Sequence, residues 1–282
     1  MSSNHPSAAN QPVAIVVAMQ AELRHLLEQV TIERTAQDGP WLDSFATING
    51  TPVVMVRSGM GMVNAAAATE RVINAHHPRA VVNFGCTGAH RRDILAGDVV
   101  IGSQTVHHNK LHILADGSEL FEAKGGDVGG ESWHPTVLDA DPALLAAARA
   151  AAADWIPDPW PADYWPSGVP NREPQVHEGP VASADIWTQN IPRLDILHAR
   201  HGTLCEDMEA AAMAQVCRFH DTPFLTLKDL SNNEFHASTD IAGGFTDFPT
   251  DEVGKRAAAL TLRLLERLGA FDHGETAANT HG

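Results

Sequence analysis

Apolar positions along the chain alternate between two rhythms. Residues 13–18 (VAIVVA) form a continuous β-branched run, which predicts a strand buried on both faces; Leu23, Leu26, Leu27 and Val30 then recur at helical spacing. Glu22 therefore falls in the first turn of a helix, just past the end of a central strand. Two short apolar runs, 45–48 and 51–56, flank Asn49-Gly50, a two-residue hairpin signal. The second of them passes through Arg57-Ser58-Gly59-Met60-Gly61-Met62 into an alanine-rich helix over 63–73. Residues 80–84 predict another buried strand, ending in Gly85-Cys86-Thr87-Gly88-Ala89, and residues 99–101 a further one after a turn at 95–98.

The second half repeats the scheme. Asp141 is placed to cap an alanine-rich helix over 142–155, and residues 179–187 read as a strand ending at Asp185 and Trp187. In residues 204–216 (LCEDMEAAAMAQV), Glu206, Asp207 and Glu209 lead directly into an apolar helix, where burying an acid is costly unless a partner or ligand meets it. A strand over 223–230 leads to Ser231-Asn232-Asn233-Glu234; period two groups Thr226, Lys228, Leu230 and Asn232 on one face and turns Asp229 to the other. Thr250 is the expected cap of a last helix striped by Val253, Ala257, Leu260, Leu264 and Leu268. Strands alternating with helices, without repeats, predict an α/β fold with a mostly parallel or mixed central sheet flanked by helices.

Two segments break the rhythm. Residues 116–130 are glycine-rich, and residues 157–174 carry Trp160, Tyr164 and Trp165 among repeated prolines, a composition that suits a lid, an interface or a self-packed loop. Polar ends at 1–11 and 272–282 read as disordered tails around one domain over 12–271.

Composition narrows the partners. With 44% hydrophobic residues among 282, the chain has material for a large core; its formal net charge of −16 opposes a nucleic-acid backbone and favours a small neutral or zwitterionic ligand. Cys86, Cys205 and Cys217 show no C-x-x-C spacing, the pattern of reduced thiols in a cytoplasmic protein. The first residues lack the features of a signal peptide, and no apolar run is long enough to cross a membrane. His107, His108 and His112 are clustered, but no carboxylate lies beside them at ligand spacing, so neither a metal nor another cofactor is expected. Gly59-x-Gly61 does not complete G-x-G-x-x-G, and the signatures of serine hydrolases, P-loops and zinc deaminases are missing.

The candidate chemistry gathers at strand ends, where open α/β sheets bind ligands. Glu22 there suits a ligand-facing acid or simply an acid favoured by a helix N-terminus. Trp187 suits stacking on a flat base or plain core packing.

Five motifs in order, AMQAE, RSGMGMVNAA, NFGCTGA followed by LAGDVV, SADIW, and DMEAAAMAQVC followed by PFLTLKDLSN, give the chain its likeness. Over residues 13–268 it resembles the nucleoside phosphorylase and nucleosidase superfamily, and within it the methylthioadenosine/S-adenosylhomocysteine nucleosidases. The resemblance implies a three-layer phosphorylase/hydrolase-like fold, a homodimer and a purine nucleoside as ligand. It implies that Glu22 activates the attacking water, that Glu209 binds the ribose hydroxyls, and that Met19 and Met208 line the sugar pocket. It further implies that Trp187 stacks on the purine with Thr188 beside the base edge, and that Met60, Cys86, Gly88, Lys228 and Ser231 contribute to the substrate site.

Cleaving an N-ribosidic bond builds positive charge on the sugar, which a carboxylate at the ribose stabilises while a second takes a proton from water. The chain departs from the pattern at Asn232, where the nucleosidases carry an acid that serves the purine, and at Lys228, where they have arginine. An amide can accept from a protonated N7 and donate to an O6. This brings in 6-oxopurine nucleosides such as futalosine beside methylthioadenosine-type substrates. Arg24, Arg57 and Arg91 leave a phosphorylase as an alternative to a hydrolase, and the missing purine acid leaves a non-catalytic purine-nucleoside binder as another.

Overall fold

The chain begins its sheet at its most apolar run. In the computed structural model, which describes residues 11–120, 127–128, 131–132, 136–241 and 249–278 (side chains to residue 269), Val13–Val17 is β1 and fully buried. Its alternation splits the core. Val13, Ile15 and Val17 pack into one apolar cluster and Ala14 and Val16 into the other, as period two requires of a strand covered on both faces.

The remaining strands of the main sheet are β2 (Arg34–Asp38), β3 (Trp41–Ile48), β4 (Thr51–Arg57), β5 (Ala80–Ala89), β6 (Val99–His107), β7 (Val137–Asp139), β8 (Val176–Ser183), β9 (Cys205–Asp207) and β10 (Phe224–Asn232). They form one ten-stranded mixed sheet in the order β7-β6-β8-β9-β5-β1-β4-β3-β2, with β10 pairing both β5 and β6. Because β10 bridges β5 to β6, the five strands β5, β10, β6, β8 and β9 close on themselves into a ring. The helices are α1 (Gln20–Leu27), α2 (Met62–His76), α3 (Pro142–Ala152), α4 (Ile191–His201), α5 (Ala210–Phe219) and α6 (Lys255–Ala278). Residues of α1, α3 and α6 cover one face, and residues of α2 and α5 the other.

Several local expectations hold for the stated reasons. Asn49 and Gly50 both take positive φ in the β3–β4 hairpin, and Asp141 accepts from the backbone of Ala143 and Leu144 at the start of α3. Two differ. Residues 250–254 form turns and α6 starts at Lys255, so Thr250 is not its cap; the orphan amides of Gly254 and Arg256 are met by the buried Asp229 carboxylate instead, at 2.9 and 3.1 Å. The alternation of β10 also ends early. Its register against β5 shifts between Leu230 and Asn232, leaving Ser231 as the extra residue of a bulge and Asn232 opposite Gly88.

The Trp/Pro-rich segment is fastened to the body at both ends. Arg256 donates to the carbonyls of Asp158 and Pro159 and lies over the buried Trp160 ring, while Arg172 makes a bidentate pair with buried Asp98. Between this segment and residues 231–240 lies a cavity of about 540 Å³ that reaches Ser231 and Asn232. Residues 1–10 of the polar N-terminal stretch, 121–126 and 129–130 of the glycine-rich segment, and the last four residues lie outside those described; α6 itself continues through Ala278, past the point where the C-terminal tail was expected.

Candidate active site

The C-terminal ends of β1, β5 and β10 and the entries to α1 and α5 meet at one place. Glu22, in the first turn of α1, is 2% exposed, and its carboxylate accepts from the backbone N–H of Met19 at 3.0 Å and of Cys86 at 2.8 Å. Two glycines make room for it. A Cβ at Gly85 would stand 2.7 Å from Glu22 Oε1, and one at Gly254, where φ is +76°, 2.8 Å from Glu22 Cβ. Burial raises the Glu22 pKa from the usual carboxylate value, against the pull of Lys228 and the two backbone donors.

Glu209 stands at the N-terminus of α5. Its Oε1 accepts from Gly61 N–H at 2.8 Å, which ties α5 to the Gly59-Met60-Gly61 turn before α2. That turn requires glycine. Gly61 has φ +95°, and a Cβ there would lie 2.8 Å from Asp185 Oδ1, which itself accepts from Met62 N–H at 2.7 Å. Burial first, then the neighbouring Asp207, push the Glu209 carboxyl up, and Lys228 opposes them.

Lys228 is the cation that makes these acids compatible. It is buried, with Nζ 2.7 Å from Asp207 Oδ2. Burial alone would lower its pKa, but Asp207, Glu209 and Glu22 together hold it above the usual lysine value. Asp207 also accepts from Ser183 Oγ and from Ala210 N–H, so it fixes Lys228 while capping α5. The three clustered acids of this stretch thus divide: Glu209 faces the glycine turn, Asp207 anchors the lysine, and Glu206 turns toward Thr188.

The other predicted residues form a second group at the β5 and β10 ends. Asn232 is oriented from both sides: Ser231 Oγ donates to its Oδ1 at 2.9 Å, and its Nδ2 donates to Glu234 Oε1 at 3.0 Å. Since an ionised carboxylate only accepts, the amide nitrogen faces Glu234. One amide hydrogen and acceptor capacity on Oδ1 remain. Nδ2 hangs over Gly88, 3.2 Å from where a Cβ would be. Trp187 is 38% exposed and its indole N–H reaches the same Glu234 at 3.4 Å. Met19, Cys86 and Met208 are half-buried near the two acids, whereas Met60 is 59% exposed and reaches outward from its turn.

Sequence reasoning missed Glu234 and Asp185. Glu234 binds Asn232, Trp187 and Thr239 at once, and Asp185 holds the start of α2. Asp185 lies within a quoted motif, so position could have suggested it; nothing in the sequence signals the convergence at Glu234. Among the described residues no group of histidines, cysteines or acids is arranged to hold a metal ion. His107 and His108 are instead pushed down to about 4 by burial, and His112 is exposed. The thiols are poor nucleophiles, since burial raises Cys86 and lifts Cys205 to about 12.

Comparison with known proteins gives consistent likenesses. A 5′-methylthioadenosine/S-adenosylhomocysteine nucleosidase of Bacillus subtilis is 30% identical, with 91% of this chain and 99% of the relative covered. One of Shewanella pealeana is 29% identical with the same coverage. The crystal structure of such a nucleosidase from Neisseria meningitidis, in complex with methylthio-immucillin-A, superposes with a TM-score of 0.69 at 27% identity, covering 92% of this chain and 99% of that one. The futalosine hydrolase of Helicobacter pylori shares the fold, with a TM-score of 0.70 at 19% identity over 91% of this chain and 97% of that one. The model of the phosphorylase superfamily matches residues 12–268, and the chain belongs to that superfamily.

Proposed function

We propose that the protein is a purine nucleosidase, hydrolysing the N-ribosidic bond of a purine nucleoside to free base and sugar. The observation that carries this reading is the arrangement of two buried carboxylates, Glu22 and Glu209, around the buried cation Lys228. Glu209 accepts the ribose hydroxyls and offsets the positive charge that develops on the sugar as the bond to the base lengthens. Glu22, with a raised pKa and fixed by two backbone donors, takes the proton of the attacking water. At the other end the leaving base is received by Asn232, whose free amide hydrogen and Oδ1 suit an acceptor and a protonated ring nitrogen side by side.

Water is favoured over phosphate as acceptor. The carboxylate of Glu22 would repel an anion, and two of the three arginines considered are engaged by acids, Arg24 by Asp251 and Arg91 by Asp93, while Arg57 is exposed at the end of β4. The named nucleosidase relatives support the same reaction and suggest a 5′-thio substituent on the ribose. A non-catalytic binder is disfavoured because it has no need of two acids held in a buried site. The protein is read as a cytoplasmic homodimer with no cofactor and no nucleic-acid partner; no helix among the described residues is long and apolar enough to cross a membrane.

The test is release of free base from methylthioadenosine, S-adenosylhomocysteine, inosine, guanosine and futalosine, each with and without phosphate. Turnover independent of phosphate is expected. A strict phosphate requirement would overturn the hydrolase reading.

A further inference from the structure

Gly88 is the floor of the site's second half, and two strands flank it at the same point. Asn232 of β10 is its register partner on one side, and Glu206 of β9 its partner on the other. Directly paired residues of neighbouring strands project to the same face, so an amide and a carboxylate stand on either side of a residue that has no side chain. Trp187, beside Thr188 and linked to Asn232 through Glu234, supplies an aromatic wall. A flat bicyclic base laid over Gly88 would turn one polar edge to Asn232 and the next to Glu206.

The hydrogen bonds of Glu206 define what that edge must be. Its Oε1 accepts from Thr188 N–H at 2.6 Å, and its Oε2 is 3.1 Å from His90 Nε2, whose other ring nitrogen lies 2.8 Å from Thr203 Oγ1. His108 Nε2, at 3.7 Å, is beyond hydrogen-bond reach. A carboxylate has about four acceptor positions. Two are filled, and the residue is buried. The Thr188 N–H, a donor that could have met an unprotonated ring nitrogen, is already engaged. A base presented here must therefore donate a hydrogen.

We propose that Glu206 is a specificity-determining residue that selects 6-oxopurines by accepting from N1–H, while Asn232 serves O6 and N7. Adenine presents a lone pair at N1 and so meets an acceptor with an acceptor, whereas hypoxanthine and guanine present N1–H. This rests on the purine nucleosidase reading and names its substrate class.

Binding of free bases tests it without reference to the sugar. Hypoxanthine should bind the wild-type protein roughly 10- to 100-fold more tightly than adenine, the worth of a hydrogen bond to a charged group. The base 1-deazaadenine, with C–H in place of N1, should bind at least as well as adenine. In Glu206→Gln, checked for an unchanged thermal midpoint, the hypoxanthine preference should fall by about tenfold or more, since the amide can donate to N1. If that variant does not fold, the three bases on the wild-type protein still decide. Tighter binding of adenine than of hypoxanthine, or loss of affinity on removing N1 from adenine, would overturn the role of Glu206 and leave the hydrolase reading standing. Failure of every purine to bind would overturn both.

Discussion

Glu22, Glu209 and Lys228 form a set in which each charge is tolerable only because of the others. Glu22→Gln keeps the shape and removes the base, so kcat should fall by about 10²- to 10⁴-fold with little change in KM, measured by steady-state base release. Lys228→Met leaves Asp207 and two further acids buried without their cation. Unfolding free energy, read from urea denaturation, should drop by about 3–5 kcal/mol. The same change removes the group that holds the carboxyls of Glu22 and Glu209 down. Protonation would persist to higher pH, and the acid limb of the rate profile should shift upward in any residual activity; Lys228→Arg should shift it less. The acids were legible in the sequence because carboxylates entering apolar helices demand a reason. The lysine was legible only as a substitution for arginine, because nothing local to Lys228 announces a salt bridge to Asp207, twenty-one positions earlier in the chain.

At the level of elements, the site is a set of helix entries held by acids. Asp229 illustrates how the sequence was right and incomplete. Strand parity turned it away from Lys228, but not toward the start of α6, where it replaces the cap expected from Thr250. Burial lifts its carboxyl from 3.8 to about 7, against the pull of Arg256. A raised folded-state pKa means the native chain binds the extra proton. The stabilisation is complete below the ordinary carboxylate range and is lost as pH rises toward 7. Asp229→Asn should therefore flatten the fall in unfolding free energy between pH 4 and 7, as seen in melts across that range. Gly61→Ala attacks another entry. A Cβ at 2.8 Å from Asp185 Oδ1 on a φ of +95° must displace the turn that donates to Glu209, so activity should fall by at least about tenfold while the sheet persists by circular dichroism. The glycines themselves were visible in the sequence as strand-to-helix punctuation. Their partners were not, since Asp185 lies more than a hundred residues from Gly61. The bulge at Ser231 escaped detection for a related reason: alternation read along one strand carries no information on its register with the next.

For the whole molecule, the α/β class followed from continuous β-branched runs separated by helical stripes, whereas the three-layer arrangement was implied by the family resemblance. The closure of the sheet could not be read from the chain, because β10 pairs two strands distant in sequence. The oligomeric expectation is open to direct test: Met60 and Val63 are 59% and 78% exposed beside the glycine turn, and light scattering should return twice the 30.2 kDa chain mass if this rim joins two copies. The closed ring of β5, β10, β6, β8 and β9 also fixes where the molecule can breathe. Amides in β5 and β10 have neighbours on both sides, so their exchange with deuterium should await global unfolding, whereas the outer strand β2 should exchange early. A ligand that reaches Glu22 and Asn232 therefore binds against a floor that does not open, and any adjustment to it falls to the loops at the strand ends.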